Sequence, residues 1–156
     1  DPTLYWPHYL STMQIQELSI ELENQPGRIH RVTEALAKAG INLRAMTVSD
    51  RRSTGVLRLV VSDISAARQV LMNMHQPAEV SEVLALRLED RPGTLAAMLQ
   101  ALLDARINVE YLYAFALPGG AAVTVLQTSD NDRCEQILTE QGVAGVSVEA
   151  LFGGDE

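Results

Sequence analysis

Leu18, Ile20 and Leu22 alternate with polar residues, and a period of two predicts a half-buried strand. The period then changes. Between residues 28 and 39, Ile29, Val32, Leu36 and Ala39 stand at helical spacing, and Gly40 occupies a helix-stop position. Residues 41–50 read as a second strand with Ile41, Leu43 and Ala45 on one face, 51–55 as a polar turn, and 56–61 as an apolar third strand. Ser62 and Asp63 suit the cap of a second helix striped by Ile64, Ala67, Val70, Leu71 and Met74. Pro77 closes that helix, and 79–84 reads as a fourth strand.

The same order then starts again without a linker. An offset of 66 residues superimposes Leu18 on Leu84, Glu23 on Glu89, Pro26-Gly27 on Pro92-Gly93, and Ile41-Asn42 on Ile107-Asn108. Farther on, an offset of 67 pairs Ser62-Asp63 with Ser129-Asp130, Ala67 with Cys134, and Val70-Leu71 with Ile137-Leu138. The extra residue falls in the turn between second and third strands, where insertions are tolerated. An internal duplication accounts for this agreement. Each copy reads β-α-β-β-α-β, an α+β unit with both helices on one face of an antiparallel sheet: a ferredoxin-like plait. Right-handed crossovers leave the second strand at an edge. The expectation is two plaits side by side in an eight-stranded sheet, joined through the second strands at residues 42–49 and 108–115, with both Pro-Gly loops near the seam. The expected domains are 13–81 and 82–156. Residues 1–12, DPTLYWPHYLST, show neither period, and Met13 reads as a native start, so they are expected to be an extension, not necessarily native.

Composition narrows the partners. The chain has 156 residues, 47% of them hydrophobic and 4% aromatic, so its core must be built from aliphatic side chains. A net charge of −8 argues against nucleic acid and against anionic membrane surfaces. One cysteine forms no intrachain disulfide, and no long apolar span is present, so a reducing cytoplasm is the expected location.

The two Pro-Gly stretches, LSIELENQPGRI at 18–29 and LALRLEDRPGTL at 84–95, carry the candidate chemistry. Each is a strand, a tight loop and an exposed helix start. A helix start offers unpaired backbone N–H groups and a partial positive charge, a ready receptor for a carboxylate. The Asn or Asp beside it can accept from an ammonium group. Together they are the minimum equipment for holding a free α-amino acid. The alternative is that Asn and Asp before Pro-Gly only shape a turn.

These stretches, completed by NQPGRI…AGIN and DRPGTL…ARIN, resemble the ACT domain, and the resemblance runs from Gln16 to about Leu151. It is nearest to stand-alone proteins made of two ACT domains without a catalytic domain. It implies a sensor or regulatory subunit that takes a free amino acid as effector at an interface between ACT domains and acts in trans on an enzyme of amino-acid metabolism. It also implies a homodimer, using helix faces or outer fourth strands. Carried over by position, Asn24 and Asn42 would be side-chain ligands in the first repeat, and Asp90 and Asn108 in the second. Gly27, Arg28 and Ile29, with Gly93, Thr94 and Leu95, would offer N–H groups to the carboxylate. The loops differ in one residue type, and a charged Asp90 should hold an ammonium more strongly than a neutral Asn24. The rival reading is an assembly module that presents sheet edges and binds nothing small.

Other features carry less. Tyr111, Tyr113 and Phe115 alternate where the first repeat has Ala45, Thr47 and Ser49; they either wall a ligand pocket or form a core face against the helices. Cys134 lies on an apolar helix stripe and reads as a small buried hydrophobe. His8, His30 and His75 have no metal-ligand spacing, and no Walker loop, nucleophile elbow or HExxH is present, so neither a metal, a cofactor nor an enzymatic activity is expected.

Overall fold

The computed structural model describes residues 13–117 and 120–153; the extension at 1–12 lies outside them. The first repeat comprises β1 (Gln14–Glu23), α1 (Arg28–Lys38), β2 (Leu43–Arg51), β3 (Thr54–Val61) and α2 (Ile64–Asn73), followed by β4 (Glu79–Glu89). The second continues with α3 (Thr94–Asp104), β5 (Val109–Leu117), β6 (Ala121–Thr128), α4 (Asn131–Glu140), β7 (Ala144–Gly145) and α5 (Val148–Leu151). The βαββαβ order is therefore present twice, as the patterning predicts.

The missing linker has a simple outcome: β4 is one strand shared by both repeats. Its first half closes the first plait against β1, Gln14 facing Leu84 and Ser19 facing Glu79. Its second half opens the second plait, Leu84 facing Leu126 and Glu89 facing Ala121 on β6. Sharing reduces the expected eight strands to seven, in the order β2-β3-β1-β4-β6-β5, with β7 beside β4. The expected boundary after residue 81 falls inside this shared strand. Gln16 faces Glu82, its own equivalent at an offset of 66, so a pseudo-twofold axis passes between them.

The plaits stand side by side, but not through their second strands. β2 and β5 are the two outer strands and do not pair. The physical reason lies in the duplication: a fourth strand that runs on as the next first strand joins the plaits at their centres. The fourth strands are therefore interior, and β2 and β5 are the open edges.

Strand alternation sends Leu18, Ile20 and Leu22 to one face of β1, where Val32 and Leu36 of α1 and Leu71 of α2 cover them. Leu84, Leu86 and Leu88 do the same under Met98, Leu102 and Leu138 of α3 and α4. A third cluster lies on the face free of the long helices α1–α4, the helix-free face, where only the four-residue α5 packs, through Val148 and Leu151. It joins Ile15, Val60 and Val83 to Val125, Tyr113 and Phe115, so the sheet curls until the helix-free faces of the two repeats pack on each other. A β-bulge between Leu43 and Ala45 puts Leu43 in the helix-side core and Ala45 in the helix-free one, where unbroken alternation would give them one face. Cys134 is fully buried in the α3–α4 core, and burial, with Asp130 and Glu135 nearby, pushes its thiol up to about 12.

Candidate functional site

The helix starts within each repeat differ. α2 and α4 are capped by Asp63 and Asp130, whose carboxylates accept from the N–H groups of Ala66 and Arg133. α1 and α3 begin at Gly27 and Gly93 with no side-chain cap. Both glycines are left-handed, at φ +86° and +89°, a conformation a β-carbon disfavours, and this turns the chain sharply from strand into helix. The first helical N–H groups are poorly occupied: those of Arg28 and Thr94 reach the Gln25 and Arg91 carbonyls only at 3.4 Å. Each loop is fixed from behind, because Asn24 N–H donates to the Ser53 carbonyl and Asp90 N–H to that of Gly120, both at 3.0 Å. The Asn24 and Asp90 side chains are exposed beside the open helix starts, with Ile29 and Leu95 half-exposed on the first turns.

The loops are not copies in detail. Arg28 is tied to Glu23 at 3.0 Å, whereas Thr94 occupies its place in the second repeat. Thr94 Oγ1 is buried without a hydrogen-bond partner, and it lines a cleft of about 420 Å³ together with Arg91, Gly93, Met98, Gln141 and Val143. Arg91 is paired with Glu89.

One expectation about this site fails. The loops do not meet at the seam. β1 and β4 are antiparallel and staggered, so from the Gln14–Leu84 pair one chain runs up to Asn24 and the other down to Asp90. That is roughly 50 Å of strand path at about 3.3 Å per residue. Asn42 and Asn108 stand away from the loops of their own repeats. An α-helix of 11 residues, about 16 Å long, separates Asn24 from Asn42 and likewise Asp90 from Asn108. Both asparagines tie the start of their strand to the end of its hairpin partner: Asn42 N–H donates to Ser62 Oγ, just after β3, Asn108 N–H donates to Ser129 Oγ, just after β6, and Asn42 Oδ1 accepts from Leu43 N–H.

The interior between the helix-free faces holds a group that sequence patterning does not single out. Glu17, on β1, is fully buried. The Tyr111 and Tyr113 hydroxyls donate to its two carboxylate oxygens, each at 2.6 Å. Both tyrosines thus point away from the helices, contrary to the core-face reading, and their hydroxyls bridge the repeats. Burial, then the Glu17 carboxylate, raises both phenols above their ordinary value. Arg58 on β3 lies over the Tyr111 ring at 4.0 Å, with its Nε 3.9 Å from Glu17 and no hydrogen-bond partner. At one end this interior opens into a second cleft of about 420 Å³, bordered by Arg51, Arg58, Tyr111 and three glutamates. Glu17 sits at a polar position of the alternating strand and so reads as solvent-facing. The available signal is the run of aromatics, Tyr111, Tyr113 and Phe115, on one face of β5.

Among the described residues, no group of His, Cys, Asp and Glu is arranged for a metal ion, and no helix is long and apolar enough to cross a membrane.

The chain matches the family model of the ACT domain pair over residues 13–152. Among solved structures, it is 35% identical to a protein of Bacteroides thetaiotaomicron, covering 90% of this chain and 97% of that one with a TM-score of 0.85. The ligand-free regulatory subunit of aspartate kinase from Thermus thermophilus shares the fold at 17% identity, covering 83% and 92% with a TM-score of 0.61. The corresponding subunit from Thermus flavus is similar, at 18% identity, the same coverage and a TM-score of 0.54. No curated protein matches the chain.

Proposed function

As the chain belongs to the ACT domain-pair family, we propose that it is an amino-acid-binding regulatory protein whose ligand sits on a Pro-Gly loop. The observation that carries this reading is the contrast between helix starts: α2 and α4 are capped by their own aspartates, while α1 and α3 are left open beside Asn24 and Asp90. The carboxylate would meet the N–H groups of Gly27, Arg28 and Ile29, or of Gly93, Thr94 and Leu95. The ammonium would meet Asn24 or Asp90. The second loop is the better equipped, with a charged Asp90, an unpartnered Thr94 hydroxyl and an adjoining cleft.

Each loop is anchored to the turn that ends an open edge strand, Ser53 after β2 and Gly120 after β5. A second copy pairing along such an edge would stand beside the loop, so the interfacial site of this reading lies between chains. Asn42 or Asn108 would then come from a neighbouring copy. Met46 and Val48 on β2 are 54% and 53% exposed, which supports that edge as the contact. The same two residues favour the rival reading of an assembly module that binds nothing small. The Thermus neighbours, regulatory subunits of aspartate kinase, lend the reading an enzyme of amino-acid metabolism as target in trans. Only differential affinity for one arrangement of the paired chains can transmit such a signal.

A thermal-shift screen of the twenty free amino acids separates the two readings. A ligand at about 100 times its dissociation constant adds about 2.7 kcal/mol of stability, and none of the twenty raising the melting temperature favours the assembly module.

A further inference from the structure

The duplication supplies an internal control for the cleft between the helix-free faces. Strand registers fix which residues correspond: Leu18 faces Leu59 as Leu84 faces Leu126, so equivalents differ by 66 on β1 and by 67 on β3. Ser19 corresponds to Ala85, Arg58 to Val125 and, through the β4 and β7 pairings, Glu79 to Val146 and Ser81 to Val148. At the second-repeat end these positions belong to the apolar cluster, closed by Leu151 of α5 and by Phe152. At the first-repeat end the same positions are polar or charged and the space is open, a cleft of about 420 Å³. The fold can therefore fill this position with core. At one end it holds serines, arginines and glutamates instead.

We propose that this open end is a second binding site, distinct from the Pro-Gly loops, for a small zwitterion of the free α-amino-acid class. Its lining carries both signs: Arg51 and Arg58 against Glu21, Glu79 and Glu110. A simple anion meets three carboxylates and a simple cation meets two guanidinium groups. A molecule with opposite charges a few ångströms apart satisfies both sets. Arg58 is held at its border: its Nε lies 3.9 Å from the buried Glu17, its guanidinium rests on the Tyr111 ring at 4.0 Å, and one amine donates to Ser49 Oγ at 3.3 Å. Arg51 at the rim is exposed and has no ion pair among the described residues. A volume of this size lies within the range of small-molecule pockets. Because Tyr111 belongs to the second repeat and Arg58 to the first, a molecule bound here touches both.

Two-dimensional amide NMR of the full chain, titrated in turn with the twenty amino acids, tests this. The amides of Ser19, Ser81 and Gln127 report the cleft, and those of Gly27 and Gly93 report the loops. At least one amino acid should shift the cleft amides saturably, while acetate and methylammonium at the same concentration should not. Arg51→Ala and Glu79→Ala, both at exposed rim positions, should each weaken that binding about tenfold or more and leave any loop shifts in place. The spectra themselves report that the variants are folded. Shifts confined to the loop amides, no saturable shift from any of the twenty, equal shifts from acetate or methylammonium, or cleft binding indifferent to both substitutions would overturn the proposal.

Discussion

Glu17 of the first repeat and Val83 of the second occupy the same position of the same fold, both fully buried. Val83 belongs to an apolar cluster; around Glu17 the interior is a carboxylate held by two tyrosines and faced by an arginine. Equivalent backbone thus supports two solutions. A close-packed apolar interior asks only for volume, whereas a buried charge asks for every partner at once. The tyrosines that satisfy Glu17 come from the other repeat, so the polar solution also fixes how the two halves face each other.

The sharpest break in that comparison is truncation at the paired position. Glu17→Ala strands two hydroxyls and a guanidinium, and by chemical denaturation it should cost about 3–5 kcal/mol. Val83→Ala removes two buried methyl groups and should cost roughly 1–3 kcal/mol. Equal losses would mean that the charge cluster is no more demanding than the apolar one. Next in size, Tyr113→Phe removes one bond to the buried carboxylate and should cost about 1.5–3 kcal/mol.

Thr94→Val probes the other asymmetry, between the loops. It replaces a buried hydroxyl without a partner by a methyl of similar volume, so stability of the free protein should hold or rise by about 1 kcal/mol. Affinity at the second loop should fall all the same; a variant that loses stability and keeps affinity makes Thr94 a packing residue. The smallest effect is on pH dependence. Both tyrosines have pKa values raised above the ordinary 10.0, so their contribution is fully present below that value. Above it the unfolded chain ionises first, and stability should decline as pH rises from about 10. In Tyr111→Phe/Tyr113→Phe that part of the decline should vanish, as denaturation midpoints between pH 9 and about 11 would show.

Much of this fold is legible in the sequence because its signals are local. Period-two runs such as Leu18–Ile20–Leu22, helical stripes such as Val32–Leu36, the Asp63 and Asp130 caps and the glycine turns each depend on a few neighbours. The duplication could be read by offset alone, and the registers place the extra residue between β5 and β6, the second-to-third-strand turn of the second repeat, as expected. The arrangement of the plaits was not legible. Joining them through β2 and β5 satisfies open edges as well as sharing β4 does, and only the length of β4 as one strand decides it. Curling of the sheet is likewise a long-range outcome: Glu17, Ser19 and Glu21 alternate like a wet face, and nothing near them announces that Tyr111 and Tyr113 will cover it. At the site, Asn24, Asp90 and the glycines lie where the pattern puts them, and the helix read between residues 28 and 39, with its copy in the second repeat, already sets Asn42 and Asn108 a helix length from the loops.

The central claim is that the Pro-Gly loops hold an amino acid, and calorimetric titration of the parent chain, Asp90→Ala and Asn24→Ala tests it most directly. Both side chains are exposed, so the fold should survive either change. With the amino acid that raises the melting temperature most, Asp90→Ala should weaken one site about tenfold to over a hundredfold, the loss of a charged hydrogen bond. Asn24→Ala should weaken the other by about tenfold or less. Unchanged affinity in both variants would contradict the account and leave the loops as turns.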